Sequence, residues 1–296
     1  MPNRFTSLFD NFVLSRLEQM RIRAWRRFTN KSQGDYLAGR GGTSTEFSDY
    51  RDYTEGDDTR YVDWNLFARL HRPYLKLYRQ EEDMHVLLLV DASSSMNFER
   101  KLERALQVAG AFGVLGLLNL QRVGACVLNR REGASERMPP CTGRSSLRTL
   151  FEFLEGVEGG GDAPVENLVE EALKRHRGRG VAVLVSDFLT FGDVPKALNR
   201  LFSAGLEVFA VQILGPSEAS PEVTGDARFV DAETGDTLDV SAAQDLLSIY
   251  HEHRESFARD LESGCRKRAG HFLSTRSDEP LENILFDRFR RKGWVE

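Results

Sequence analysis

Cysteine is scarce: three in 296 residues, Cys126, Cys141 and Cys265. They are too few and too widely spaced for a disulfide framework or a cysteine-rich zinc site, so a reducing, cytoplasmic setting is expected. Long apolar runs are absent too. The longest, Val108 to Leu118, falls well short of the ~20 residues that cross a bilayer. Gly110, Gly113 and Gly116 lie within it, and it reads as a buried helix. The first thirty residues carry Arg4, Asp10, Arg16 and Glu18 among their apolar positions. No clean apolar leader with a small-residue cleavage site is visible, and secretion is not expected. A basic surplus is also missing. Lys plus Arg number 40 against 45 Asp plus Glu, a formal net charge of -5, which argues against a general nucleic-acid binder.

Several signatures of chemistry are missing as well. Without Gly-x-x-x-x-Gly-Lys-Ser/Thr the chain is not itself a P-loop ATPase, and without Gly-x-Ser-x-Gly it lacks the hydrolase elbow. His251 and His253 fall two apart in a predicted helix, where side chains diverge, so they do not form a zinc pair. Cys126 and Cys141 have little basic setting beyond Arg144 and read as buried thiols. No repeat or low-complexity tract is present.

What remains is a soluble globular composition, 41% hydrophobic and 29% charged, organised in two styles. Residues 1 to 40 hold eight Lys or Arg against three acids. Leu8, Phe9, Phe12, Val13, Leu17 and Met20 recur there at helical spacing, which predicts an amphipathic helix docked on the body and followed by the basic run Arg21 to Arg27. A membrane-surface anchor is the other use of such an arm, and the docked helix is preferred. Next come Gly39 to Gly42 and an acidic, aromatic block with a turn at Gly56-Asp57. The alternation from Tyr74 to Tyr78 predicts a strand. Residues 1 to 80 are read as an arm and a distinct segment packed on a body of residues 81 to 296.

The body alternates regularly. Val86 to Val90 and Val181 to Val185 are continuous apolar runs, as strands buried on both faces require. Val123 to Leu128 and Leu206 to Leu214 are further strands, with helices predicted at Arg100 to Leu120, Ser145 to Leu154, Val165 to His176 and Val194 to Ala204. A hairpin insertion is predicted near 228 to 240, then a helix near Ala242 to Lys267, a strand at His271 to Ser274 and a helix from Glu279 to Arg291. The expected fold is α/β and Rossmann-like, a mostly parallel central sheet with helices on both faces plus the N-terminal helical and extended arm.

The first apolar strand ends in Asp91-Ala92-Ser93-Ser94-Ser95-Met96, and the second ends in Ser186-Asp187. Ligands of open α/β sheets sit beyond the carboxyl ends of the strands. If the two strands are neighbours, Asp91, Ser93, Ser95 and Asp187 converge. Two carboxylates and two hydroxyls are hard oxygen donors of the kind Mg²⁺ takes at about 2.1 Å. Their shell is incomplete, so an acid from outside can finish it without catalysis. The structural alternative is helix capping by Asp91, Ser93 and Ser95.

Asp91-x-Ser93-x-Ser95 with Asp187 on a later strand resembles the metal-ion-dependent adhesion site of von Willebrand factor A-like domains. The run from Glu46 through Arg51-Asp52-Tyr53, Gly56-Asp57-Asp58, Arg60 and Asp63-Trp64 to Met96 resembles the bacterial family called domain of unknown function 58. The resemblance implies a von Willebrand A-like fold and a Mg²⁺ or Mn²⁺ site. It also implies a protein partner, a MoxR-type AAA+ ATPase, in complex assembly or maturation. An acidic residue of the partner would complete the metal shell. Such domains usually add a Thr from a glycine-rich loop; here that loop reads Gly159-Gly160-Gly161-Asp162-Ala163-Pro164, and Asp162 is the candidate substitute. Arg51, Asp52, Asp57, Asp58, Arg60 and Asp63 read as an ion-pair network with Tyr53 and Trp64 as core, or as a lip of the partner surface.

Two functions follow. The first is a non-enzymatic interaction module using Asp91, Ser93, Ser95, Asp187 and Asp162 as metal ligands, with neither nucleic acid nor membrane as partner. The alternative is a Mg²⁺-dependent phosphohydrolase with Asp91 as nucleophile. That reaction wants a second acid two positions on, where Ser93 stands.

Overall fold

A computed structural model describes residues 5–23, 45–80, 84–129, 135–189, 192–222, 225–231, 235–240 and 246–296. The chain forms two compact units, one of residues 1–26 and 84–296 and one of residues 27–83.

The larger unit is built on six strands: β3 (His85–Asp91), β4 (Arg122–Leu128), β5 (Glu136–Cys141), β6 (Gly180–Ser186), β7 (Leu206–Leu214) and β10 (His271–Arg276), in spatial order β10-β7-β6-β3-β4-β5. Five run parallel, and β5 closes one edge antiparallel to β4. The two apolar runs lie side by side at the centre, with Val90 opposite Val185. Along β3, side chains alternate between two cores. Val86, Leu88 and Val90 join one and Leu87 and Leu89 the other, and full burial of each contributes about 1.5–3 kcal/mol.

Helices cover both faces. On the Val90 side lie α1 (Asn11–Leu17), α3 (Lys101–Leu118) and α4 (Leu147–Glu155); opposite lie α5 (Val165–Lys174), α6 (Val194–Ser203) and α8 (Leu247–Arg266). This is the mostly parallel, Rossmann-like arrangement expected from the alternation. The run Val108 to Leu118 lies inside α3, where it is largely buried. A Cβ at Gly116 would come within 2.6 Å of Val123, so glycine lets this helix sit close on the sheet. No helix among the described residues is long and apolar enough to cross a membrane. The four-residue helix α7 (Pro216–Ala219) follows β7, and β8 (Ala227–Val230) pairs with β9 (Thr237–Val240) as the expected hairpin.

Helix α1 is capped by Asp10, whose carboxylate accepts from the Val13 N–H at 2.7 Å. It buries Val13 and Leu17, while Phe9 meets Phe151 edge-on. The basic run beyond residue 23 lies outside the described residues. At the C-terminal end, a π-helical turn (Asn283–Arg288) leads into α9 (Phe289–Arg291).

In the smaller unit, β1 (Thr45–Asp52) pairs antiparallel with β2 (Tyr74–Gln80), and α2 (Trp64–Leu70) lies between them in sequence. Arg51 and Asp57 pair at 2.9 Å, and Asp63 caps α2 while bonding Lys76. Separate ion pairs, Arg51–Asp57, Arg60–Asp58 and Lys76–Asp63, therefore stand where the network was expected, but Trp64 is not core. It is 60% exposed and packs edge-on against Phe67, because the capping Asp63 fixes the start of α2 and sends the next side chain outward.

Candidate functional site

β3 and β6 end side by side, and four of the five sequence candidates meet there. Asp91, the last residue of β3, is 1% exposed. Its Oδ1 accepts from the Ser93 N–H at 3.0 Å and from the Asn129 amide at 3.4 Å, and its Oδ2 accepts from Ser186 Oγ at 2.7 Å. Ser95 Oγ donates to Asp187 Oδ2 at 2.8 Å across 92 residues of chain. Ser93 Oγ lies 3.1 Å from Ser95 Oγ. Since a hydroxyl has one proton and that of Ser95 goes to the carboxylate, Ser93 donates to Ser95. Asp187, 1% exposed, also accepts from the Leu189 N–H through Oδ1 and holds the Gln212 amide through its main-chain oxygen, both at 3.0 Å.

The glycine loop is part of this structure through its backbone. Gly160 donates to the Ala92 carbonyl at 2.8 Å, Gly161 donates to Asn129, and Ser94 donates back to Gly161 at 3.0 Å. A Cβ at Gly159 would fall 2.7 Å from Asn97 Oδ1, and one at Gly161 would fall 2.9 Å from Asn129. Asn129 clamps the loop's far end through both amide atoms to Ala163. Asp162 lies between Gly161 and Ala163 and is exposed. The loop thus meets the Asp91–Met96 segment by close backbone approach.

One participant was not apparent from the sequence. Lys101, the first residue of α3, is 0% exposed, and its ammonium lies 2.8 Å from Asp187 Oδ2, the same oxygen that accepts from Ser95. It also pairs with Glu218 of α7. Burial pushes the Lys101 pKa down, but Asp187 and Glu218 more than offset this, and it stands above its ordinary value. Burial first, and the charge of Asp187 second, raise the Asp91 carboxyl above the usual carboxylate range. Backbone geometry delivers the lysine: Glu99 (φ 47°) and Arg100 (φ 59°) are both left-handed, turning the chain just before α3. Such residues cost about 1–3 kcal/mol each. Phe188, next to Asp187, is left-handed too.

A sequence signal for Lys101 did exist. A cation in the first turn of a helix opposes the macrodipole, and a lysine opening a largely apolar helix needs a carboxylate partner. Ser186 and Asn129 carried no such mark.

In this arrangement the oxygens that a divalent ion would use are engaged with one another and with Lys101. Asp187 Oδ2 already accepts from a hydroxyl and an ammonium, both oxygens of Asp91 are bonded, and the two serines bond in series. Among the described residues, no group of three or more His, Cys, Asp or Glu is placed to hold a metal. A thiol nucleophile is not available nearby either, since burial pushes Cys126 up to about 11. Two apolar side chains close to the cluster in sequence are exposed: Phe98, three residues after Ser95, by 54%, and Leu189, two after Asp187, by 45%.

Comparison with known proteins adds a family. The uncharacterized protein Mb1516 of Mycobacterium bovis is 29% identical over 300 residues, spanning 96% of this chain and 92% of that protein. The uncharacterized protein MAV169 of Mycobacterium avium is 30% identical over 170 residues, 53% of this chain and 95% of that one. Among solved structures, the conserved hypothetical protein BatB from Bacteroides thetaiotaomicron matches 71% of this chain and 98% of its own, at 14% identity and a TM-score of 0.43. An aerotolerance-related membrane protein from Bacteroides fragilis matches 70% and 99%, at 16% identity and a TM-score of 0.42. The model of the family described as "Protein of unknown function DUF58" matches residues 49–260, and the chain belongs to that family.

Proposed function

We propose that this DUF58 protein is a non-enzymatic interaction module with a von Willebrand A-like body that docks a protein partner at the carboxyl end of its central sheet. The observation that carries the reading is the Ser95 to Asp187 hydrogen bond at 2.8 Å, which joins the ends of the two central strands, and Phe98 and Leu189, a few residues along from these two, are exposed. The carboxyl end of the sheet is where α/β folds bind their ligands, and the reading takes Phe98 and Leu189 as contact points there.

The partner class rests on the family resemblance: a MoxR-type AAA+ ATPase, in assembly or maturation of a complex, in the cytoplasm. The Mg²⁺- or Mn²⁺-bridged mode, in which an acid of the partner completes the shell, requires Lys101 to leave Asp187; docking through Phe98 and Leu189 does not. The phosphohydrolase reading is weaker. Asp91 has both oxygens engaged and a carboxyl biased toward its neutral form, which is the wrong state for a nucleophile.

The test is capture of a purified MoxR-type AAA+ ATPase from the same source by wild type, Asp91→Ala and the double variant Phe98→Asp, Leu189→Asp, each with Mg²⁺ and with chelator. The reading expects capture by wild type and loss in the double variant with its fold intact. Equal capture by the double variant, or none by wild type, contradicts it. Hydrolysis of a generic phosphoester that disappears in Asp91→Asn would favour the enzyme instead.

A further inference from the structure

We infer that the Lys101 ammonium occupies the place of the divalent cation at the strand-end site, so that the Asp91, Ser93, Ser95 and Asp187 cluster is completed internally and works without metal. The inference concerns the site on which the proposed docking function rests, but its test does not depend on any partner.

A divalent ion at such a site has two tasks: to neutralise the paired acids, and to tie the ends of neighbouring strands together through their oxygens. Lys101 does this for Asp187 and Glu218. Its ammonium, fully buried, shares Asp187 Oδ2 with Ser95 Oγ at equal distances of 2.8 Å, so it bonds the oxygen that a cation held by Ser95 and Asp187 would need. Through Glu218 it extends the tie from the end of β6 to α7, just after β7. Glu218 is itself held, its Oε2 accepting from the Gly215 N–H at 2.7 Å, and Tyr250 of α8 donates to the Glu218 carbonyl. The second strand-end acid, Asp91, is served by a backbone N–H, a serine hydroxyl and an amide, donors that need no metal.

Chain geometry points the same way. The turn through Glu99 and Arg100 is left-handed at two consecutive residues that carry side chains, and the next residue, Lys101, reaches Asp187. Glu99 anchors the turn by accepting from the Ser217 N–H at 3.0 Å. The glycine loop, from which an oxygen ligand was expected, supplies backbone contacts, and its Asp162 is exposed. An ammonium needs hydrogen-bond acceptors and no octahedral shell, and the site offers acceptors.

The experiment is Mn²⁺ titration of the chelator-treated full chain, read by the electron paramagnetic resonance signal of free Mn²⁺, with thermal unfolding in parallel. Wild type is expected to bind no stoichiometric Mn²⁺ and to show no shift in Tm with Mg²⁺ or Mn²⁺. Lys101→Met removes a charge repelling the ion at close range and is expected to bind Mn²⁺ at least about tenfold more tightly than wild type, with a Tm that rises on adding the ion. Adding Asp187→Asn should abolish the gain. Binding of one Mn²⁺ per wild-type chain, lost in Asp187→Asn, overturns the inference. A folded Lys101→Met variant with no gain in affinity overturns it as well. If Lys101→Met does not fold, the wild-type titration still decides.

Discussion

Asp187 and Asp57 each face a cationic side chain at nearly the same distance, 2.8 Å to Lys101 and 2.9 Å to Arg51, in surroundings that give the two contacts different meanings. The Asp187 pair is sealed beneath the end of the central sheet, its side chains 0% and 2% exposed. The Asp57 pair closes a turn at the surface of the smaller unit. There the Thr54 backbone N–H first, and the Arg51 guanidinium second, hold the Asp57 carboxyl down at about 2. Water is the difference. At the surface it competes with the pair and screens it; in the interior no solvent replaces a lost partner, so each charge depends on the other.

Breaking the buried pair therefore has the largest expected effect. Lys101→Met should lower the stability of the larger unit by about 3–5 kcal/mol in metal-free buffer, read by urea unfolding of the full chain. Asp187→Asn alone should also destabilise. Combined with Lys101→Met it should recover part of the loss, with a coupling of about 0.5–3 kcal/mol in the double-mutant cycle. Strict additivity would mean that the two groups do not act as a pair.

Asp91→Asn should do far less, under about 1.5 kcal/mol at neutral pH, because the raised carboxyl already disfavours its charged form. The sign follows from linkage. A folded-state pKa above the unfolded value contributes stability that is full below about pH 4 and declines as pH rises through the raised pKa. The asparagine variant should accordingly lose less stability than wild type between about pH 4 and pH 7. A steeper loss in the variant would show that Asp91 is needed as the anion.

The smallest effect belongs to the surface pair. Asp57, with its lowered pKa, supports its turn above the unfolded carboxylate value and loses that contribution as pH falls toward about 2. Carboxyl NMR titration of Asp57 should give a midpoint near that value, and Arg51→Ala should move it upward without changing the unfolding of the larger unit. A midpoint unmoved by Arg51→Ala would assign the shift wholly to the Thr54 contacts.

Much of the larger unit is legible in the amino-acid order, because a strand buried on both faces has to be apolar without interruption, and Val86–Val90 and Val181–Val185 are. Their acidic ends are legible for the same reason, since polarity returns where the sheet ends. The edge strand β5 is not. Pro139 and Pro140 weigh against a strand, and they are tolerated only because β5 pairs on one side, with β4. Lys101 is hidden differently. Six positions after Ser95, it reaches Asp187 only through the left-handed turn at Glu99 and Arg100, a conformation those residue types do not advertise. Trp64 misleads in the other direction, its size pointing to a core from which the capped start of α2 excludes it.

The central claim, that an ammonium completes the strand-end site, is tested most directly by a crystal grown in MnCl₂ with diffraction measured at the manganese edge. The account predicts no anomalous peak among Ser93, Ser95 and Asp187, with Lys101 Nζ in hydrogen-bonding contact with Asp187. A manganese peak coordinated by Ser95 and Asp187, with the Lys101 side chain displaced, would contradict it.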